Sequence, residues 1–204
     1  MIQGILFDFD GTLTKPDTID FISLKNRIGC PNNISVLEFI NTAEVSEKKD
    51  HFNKILEEEE LKAAAISVPN YKAESCIKFF KTLGIKLGIH TRNTSKSLTL
   101  ALSNFSYINT NDFTAIITRE HAPPKPDPTG VFMAAKQMKI ENMNGMLVVG
   151  DKSFDIDSGK KAGTLTAFIT NGENVVCEFA DYTIESLADL ILIINSNIKY
   201  NKSL

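Results

Sequence analysis

Two kinds of hydrophobic pattern divide the chain. Short apolar runs ending in polar or turn-forming residues predict buried strands at residues 5–7, 86–90, 115–118, 146–150 and 164–170. From residue 71 onward these runs alternate with segments of helical spacing, which include residues 71–83 and 185–198. Strands that alternate with helices are typical of a parallel sheet with helices on both faces. We therefore expect a three-layer, Rossmann-like α/β core.

The segment between the first two strands has a helical pattern throughout. Residues 17–28 are followed by Gly29 and Pro31, residues 35–38 have the spacing of a capping box, and residues 46–66 have helical apolar spacing. Four consecutive glutamates, 57–60, predict a solvated helix face. Proline-containing junctions flank the segment. We therefore expect a small helical domain at 15–70, inserted into a core formed by residues 1–14 and 71–204.

Composition excludes several classes of function. Of 204 residues, 43% are hydrophobic and 23% are charged, as in an ordinary globular protein, and the length allows one sizeable core with a small accessory lobe. A net charge of −3 gives no basic field for nucleic acid. No apolar run is long enough for a membrane span, and Met1 leads directly into the first strand. Three cysteines without metal-ligand spacing suit a reducing compartment, so we expect a cytoplasmic protein.

The polar residues that follow the predicted strands are the candidates for chemistry. Asp8 and Asp10 follow the first strand, and strand alternation sends both side chains to the same side. Two carboxylates so close repel each other, so that one stays protonated or a cation lies between them. Parallel strands of an α/β protein expose its site at their carboxyl ends. The later strands are followed by Thr91-Arg92-Asn93, by Lys125 among three prolines, and by Asp151 and Asp155.

These four elements, in this order, resemble the signatures of the haloacid dehalogenase-like (HAD) hydrolase superfamily. They match its aspartate pair followed by Gly-Thr, its Thr or Ser after the second strand, its downstream Lys and its late acidic pair. The resemblance covers residues 2–180 and points to the phosphatase branch with a small α-helical cap, similar to phosphoglycolate phosphatases and β-phosphoglucomutases. It implies that the helical insertion is a mobile cap over the active site.

The resemblance also implies a role for each carboxylate. Asp8 would be the nucleophile and form an aspartyl-phosphate, and Asp10 would be the general acid and base. Mg²⁺ would be held by Asp8, by the backbone carbonyl of Asp10 and by Asp151, with Asp155 acting directly or through water. Mg²⁺ prefers oxygen ligands and bridges to phosphate, which suits an all-carboxylate cluster. Together with Lys125, it would offset the charge of the four aspartates.

Phosphate recognition would fall to the residues after the second strand. Thr91 would offer its hydroxyl and its backbone N–H to phosphoryl oxygens, and Arg92 and Asn93 would contact substrate beside it. The chain has only 3 arginines against 19 lysines, yet Arg92 and Arg119 both follow strand ends. Since arginine forms bidentate bonds with phosphate or carboxylate, we expect Arg92 to contact substrate and Arg119 to pair with a neighbour such as Glu120.

The leading functional hypothesis is a Mg²⁺-dependent phosphatase that acts on a small phosphorylated metabolite, as a monomer or weak dimer. A phosphomutase of the same fold remains open, and a catalytically retired binding module is the alternative from another class. A dehalogenase is disfavoured because Asp10 and the Gly-Thr pair are present. The substrate stays open among phosphoglycolate, sugar phosphates and nucleotides. Three residues of the insertion could contact its leaving group: Lys15, Lys25 and Arg27.

Overall fold

The computed structural model describes residues 1–16 and 19–200, without the side chains of 196–200. Its centre is a six-stranded parallel sheet with the order β3-β2-β1-β4-β5-β6. The strands are β1 Gly4–Phe7, β2 Lys86–His90, β3 Ala115–Ile117, β4 Met146–Gly150, β5 Leu165–Ile169 and β6 Tyr182–Ile184. The strand order reverses direction beside β1, and α/β sheets bind ligands at the carboxyl ends of the strands next to such a point. This places the expected site beyond β1 and its two neighbours, β2 and β4.

Helices cover both faces of the sheet, which confirms the predicted three-layer core. Between β1 and β2 lie the helices α1 Phe21–Ile28, α2 Val36–Asn41, α3 Ser46–Ile66 and α4 Ala73–Thr82. The helices after β2 are α5 Ser95–Leu102, α6 Thr129–Gln137, α7 Ser153–Ala162 and α8 Asp189–Tyr200. Residues of α4, α5 and α8 share one hydrophobic cluster with the sheet, and residues of α6 and α7 share another. Within the described part of the chain, no helix is both long and apolar enough to cross a membrane.

The two clusters follow from side-chain alternation along the strands. Ile5 and Phe7 of β1 belong to the first cluster, whereas Leu6 between them belongs to the second. Strand β4 behaves in the same way, with Val149 on one face and Val148 on the other. All five side chains are at most 3% exposed. A strand buried on both faces is expected to be continuously apolar, as these two are.

The helical insertion has a hydrophobic cluster of its own. Its members come from α1, α2, α3 and the loops between them: Leu24, Ile28, Cys30, Val36, Ile40, Phe52 and Leu56. The end of α3 also packs on the core, where Ala64 joins the cluster of β1 and α4. The two connections to the core run side by side, because Thr14 and Pro69 form an antiparallel bridge and Asn70 N–H donates to the Leu13 carbonyl at 2.8 Å.

Several boundaries differ from the predicted ones for local reasons. Helix α1 begins at Phe21 because Asp20 accepts a hydrogen bond from the backbone of Ser23, and residues 17 and 18 lie outside the described part. Helix α8 begins only at Asp189, whose carboxylate accepts the backbone N–H of Glu185. Strand β6 was not predicted from the sequence. Its three residues pair with β5 at the edge of the sheet and are too few to give a clear pattern.

Candidate active site

The ends of three neighbouring strands bring the predicted site residues together. Asp8 follows β1, Thr91 follows β2 and Asp151 follows β4, and both β2 and β4 pair with β1 in parallel register. These residues line one cleft of about 380 Å³ between the core and the helical insertion. Of the predicted site residues, those lining it are Asp8, Asp10, Thr91, Arg92, Asn93 and Asp151. Lys125 and Asp155 are buried beside it, where Lys125 pairs with both Asp8 and Asp155.

Lys125 is buried between two carboxylates. Its Nζ lies 2.5 Å from Asp8 Oδ1 and 2.5 Å from Asp155 Oδ1, and it donates to the His90 carbonyl at 2.8 Å. Only 1% of the residue is exposed. Burial alone would lower the pKa of Lys125, but the charges of Asp155 and Asp8 outweigh it and raise that pKa above its usual value. The ammonium group therefore stays charged and holds the Asp8 side chain in place.

Three carboxylates form a cluster that fits a divalent cation. Asp8, Asp151 and Asp155 each offer an oxygen, and these oxygens lie within 4.8 Å of one another. Burial raises the pKa of Asp155 to about 7 and also raises that of Asp151, and the charge of Asp8 adds to both shifts. Asp151 Oδ1 is buried without a hydrogen-bond partner among the described residues. A buried acceptor without a partner is costly, and a cation there would remove that cost.

Space at the cluster depends on the glycine after the aspartate pair. Gly11 has φ of +78°, and a Cβ built on it would lie 2.3 Å from Asp151 Oδ2. A larger residue would therefore be strained in its backbone and would push into the carboxylate. Both Asp155 oxygens have partners, since Oδ1 lies beside Lys125 and Oδ2 accepts the Lys152 N–H at 3.1 Å. Asp151 is thus the freer cation ligand of the two.

Asp10 has the protonation behaviour that proton transfer at neutral pH needs. Burial and the charge of Asp8 raise the pKa of Asp10 to about 7, against the opposing effects of Asn93 and Lys125. Asn93 Nδ2 donates to Asp10 Oδ2 at 2.5 Å and so fixes the orientation of the carboxyl group. At neutral pH the protonated and charged forms are similarly populated, so this group can both give and accept a proton.

Thr91 offers a hydroxyl to the cleft, but its backbone N–H is already used. That N–H donates to the Ile117 carbonyl at 2.9 Å, because β2 continues to pair with β3 at this residue. The expectation that it contacts phosphoryl oxygens is therefore wrong. The Thr91 hydroxyl oxygen accepts the Asn93 N–H at 3.1 Å and keeps its own hydrogen for another acceptor.

Arg92 connects the core to the helical insertion. Its guanidinium donates to the Lys125 carbonyl, lies 4.1 Å from the ring centroid of Phe154 and is 3.7 Å from Glu38 of α2. The side chain thus lines the cleft in a fixed orientation. His90 is buried, and burial together with the charges of Lys125 and Arg92 lowers its pKa well below the usual value. His90 stays neutral and supplies its backbone carbonyl to Lys125.

Glu60 is a cleft residue that the sequence reasoning missed. The run 57–60 was expected to be solvated, but Glu60 is only 4% exposed and lines the cleft. The signal was present in the sequence, since Glu60 follows Phe52 and Leu56 at helical spacing and shares their apolar face. Arg119 Nη1 donates to Glu60 Oε1 at 2.5 Å. The predicted pair of Arg119 with Glu120 is therefore wrong, and Glu120 instead accepts hydrogen bonds from Ser95 and Thr118.

Comparison with known proteins identifies relatives of this architecture. The family profile described as haloacid dehalogenase-like hydrolase matches residues 15–169. The uncharacterized hydrolase YOR131C of Saccharomyces cerevisiae is 29% identical over 201 residues, covering 96% of this chain and 92% of the yeast protein. The pyrophosphatase PpaX of Anoxybacillus flavithermus is 30% identical over 220 residues, covering 95% of this chain and 97% of its own.

Solved structures share the fold at lower identity. A hydrolase from Pseudomonas syringae superposes with a TM-score of 0.80 at 17% identity, covering 95% of this chain and 98% of its own. A HAD phosphatase from Thermococcus onnurineus superposes with a TM-score of 0.68 at 21% identity, with the same two coverages of 95% and 98%. At these identities the likeness extends to the fold alone.

Proposed function

The chain belongs to the haloacid dehalogenase-like hydrolase family, and on that premise we propose that it is a Mg²⁺-dependent phosphatase. Its substrate would be a small phosphorylated metabolite, hydrolysed through an aspartyl-phosphate on Asp8. The observation that carries the proposal is the contact of Asp8 with buried Lys125 beside the carboxylates of Asp151 and Asp155. This arrangement offers a fixed nucleophile, a permanent positive charge and a cation site in one cleft.

Asp8 is the proposed nucleophile. Lys125 binds Asp8 Oδ1 at 2.5 Å and leaves Oδ2 to attack the phosphorus atom. The P–O bond to the leaving group breaks as the bond from Asp8 forms. An anion that attacks a phosphate anion needs positive charge nearby, and the buried ammonium of Lys125 supplies it without reorganisation.

Asp10 is the proposed general acid and base. In the first step its proton passes to the oxygen of the leaving alcohol. In the second step Asp10 removes a proton from the water that attacks the aspartyl-phosphate, so that inorganic phosphate is released and the Asp8 carboxylate is restored. A pKa of about 7 allows both transfers at neutral pH, and the hydrogen bond from Asn93 keeps the group aimed into the cleft.

The phosphoryl group would be held by donor side chains that line the same cleft. The Thr91 hydroxyl and the Arg92 guanidinium both line it, and Asn93 lies between Thr91 and Asp10. Arg92 is oriented by Phe154 and by the Lys125 carbonyl, so its fork is available without a large loss of side-chain entropy.

Mg²⁺ is the proposed cofactor. Asp8 and Asp151 would hold it through carboxylate oxygens and Asp10 through its backbone carbonyl, while Asp155 would act directly or through water. When bound, the ion would neutralise charge on the phosphoryl oxygens and on the carboxylates.

The helical insertion is the proposed cap, with boundaries at residues 15 and 70. Its separate hydrophobic cluster and its paired connections support a unit that can move relative to the core. Ile19, Phe21, Val36 and Leu37 of the insertion line the cleft. These apolar side chains would exclude water from the reacting group once a small substrate is bound.

Turnover of a panel of phosphate esters with Mg²⁺ tests the proposal. Pyrophosphate belongs in the panel because relatives of the chain carry the name pyrophosphatase. Asp8→Asn keeps the shape of the side chain and removes the nucleophile, so we expect loss of turnover with an unchanged circular dichroism spectrum. Mass spectrometry of acid-quenched enzyme should find a phosphoryl group on Asp8. Full turnover by Asp8→Asn would refute the assignment.

A further inference from the structure

A buried carboxylate on the helical insertion lines the candidate active site. Glu60 lies on α3, lines the same cleft as Asp8 and Asp10, and is 4% exposed. One of its oxygens, Oε1, is held by Arg119 from the loop after β3. The other, Oε2, is buried and has no hydrogen-bond partner in the described part of the chain. The proposed chemistry on Asp8 and Asp10 makes no use of Glu60.

The surroundings of Glu60 hold Oε1 and leave Oε2 to accept a hydrogen bond from a bound molecule. Arg119 occupies the core side of the carboxylate, and the backbone N–H of Thr94 weakly favours its charged form. Burial and the charge of Asp10 oppose that form and raise the pKa of Glu60 to about 7. A buried acceptor without a donor is costly, so this position is suited to a group that enters the cleft and donates a hydrogen bond.

Several other residues that line the cleft are apolar or are cations that already have an oxygen partner. Ile19, Leu37 and Leu56 contribute apolar walls. Lys25 also lines the cleft, but its ammonium donates to the Asn32 carbonyl at 2.7 Å. Arg92 Nη2 donates to the Lys125 carbonyl and lies near Glu38, and the rest of its guanidinium is the part proposed above to hold the phosphoryl group. Glu60 Oε2 is therefore an acceptor in this cleft that forms no hydrogen bond with the described residues.

We propose that Glu60 selects substrates whose leaving group carries a hydrogen-bond donor, a hydroxyl or an ammonium, which Glu60 Oε2 accepts. Arg119 is a positioning residue that holds Oε1 and so turns Oε2 towards the substrate. A leaving group that ends in a carboxylate or a phosphate is disfavoured because it brings a second anion against Glu60. The inference rests on the proposed phosphatase activity and adds the class of leaving group to it.

A series of phosphate esters that differ at one end tests the selection. The series consists of propyl phosphate, its terminal hydroxy and terminal amino derivatives, and carboxyethyl phosphate. We expect the wild type to prefer the hydroxy and amino esters over propyl phosphate in kcat/KM by about 10- to 100-fold, the range that a hydrogen bond to a charged group supports. Carboxyethyl phosphate should be the poorest substrate of the four.

Two variants at Glu60 distinguish a role in substrate preference from a role in the stability of the fold. Glu60→Leu should remove most of the preference for the hydroxy and amino esters. Glu60→Gln keeps an acceptor oxygen but not the charge, so it should reduce the preference for the amino ester more than that for the hydroxy ester. The matched control is Glu58→Gln, an exposed position two residues earlier on α3, which should leave the ratios unchanged.

The outcomes distinguish this inference from the proposed function. If the Glu60 variants hydrolyse all four esters with the wild-type ratios of kcat/KM, Glu60 serves only to link the insertion to the core through Arg119. The inference is then overturned, while the proposed phosphatase activity is not affected. A wild type that shows no preference among the esters overturns it as well. If the wild type with Mg²⁺ hydrolyses neither these esters nor any compound of the wider panel, the proposed phosphatase itself fails.

Discussion

Replacing Lys125 by methionine removes the ammonium group that lies between two buried carboxylates. Methionine is similar in length to the lysine stem, so the change isolates the charge. In the wild type, Nζ lies 2.5 Å from an oxygen of Asp8 and from one of Asp155. Removing one partner from a buried ion pair costs about 3–5 kcal/mol, because the remaining charge loses its compensation. We expect a loss of that size at about pH 8 without divalent ions.

The loss in the free energy of unfolding of Lys125→Met should depend on pH. Burial raises the pKa of Asp155 to about 7 although Lys125 opposes that shift, so without the ammonium this carboxyl takes up a proton still more readily. Fewer uncompensated charges therefore remain in Lys125→Met at about pH 5, and the loss shrinks there. Urea unfolding with a chelator present measures both values. Lys136→Met, an exposed lysine on α6, is the control and should change the free energy of unfolding by less than about 0.5 kcal/mol. An equal loss at the two pH values, or one no larger than the control, would refute the role of the pair.

The remaining predictions concern the titration and metal binding of the cleft. For alkyl phosphates, kcat/KM should fall about tenfold per pH unit above roughly pH 7 as Asp10 loses its proton. Nitrophenyl phosphate, whose leaving group needs no proton, should show a much weaker fall, and identical pH profiles for the two substrates would contradict Asp10 as the acid. Because folding raises the pKa of Asp10, Glu60 and Asp155 to about 7, the folded chain binds more protons than the unfolded chain between about pH 4 and pH 7. The free energy of unfolding without metal should therefore decrease as pH rises across that window, and an increase in urea unfolding would be inconsistent with these pKa shifts. Chelation should abolish turnover, and Mg²⁺ should restore turnover and raise the thermal unfolding midpoint; in Asp151→Asn both effects of Mg²⁺ should be smaller. A thermal midpoint that Mg²⁺ does not change would argue against the cluster as a cation site.

The sequence was sufficient for the core because its strands are apolar on both faces and each ends in a distinctive polar residue. Asp8, Thr91 and Asp151 were expected to converge since parallel strands end at one edge of a sheet, and the structure brings them into one cleft. The approach of Lys125 from a distant loop could be expected only through the family resemblance. Its burial between Asp8 and Asp155 depends on tertiary packing.

The errors share a physical cause, namely that partners distant in sequence replaced neighbouring ones. Arg119 was assigned to Glu120 by proximity, but α3 brings Glu60 within reach and Glu120 bonds to the start of α5 instead. Glu60 was assigned to solvent because three glutamates precede it, although helical spacing places it beside Leu56. The Thr91 N–H was assigned to substrate because the strand was expected to end at His90, as it does, but the hydrogen bond to the Ile117 carbonyl of β3 is made by the next residue.

The paired connections of the insertion determine where the proposed cap would pivot relative to Asp10. The chain leaves the core after Thr14 and returns at Pro69, so both ends of the helical segment are anchored at one spot. Asn70 also donates to the Thr12 carbonyl at 3.0 Å, only two residues beyond Asp10. If the insertion moves as the proposed cap, its pivot lies next to Asp10, and the backbone would couple its opening to the loop that carries the proposed acid–base group. A segment hinged in this way can also grow or shrink between relatives without disturbing how the strands pair.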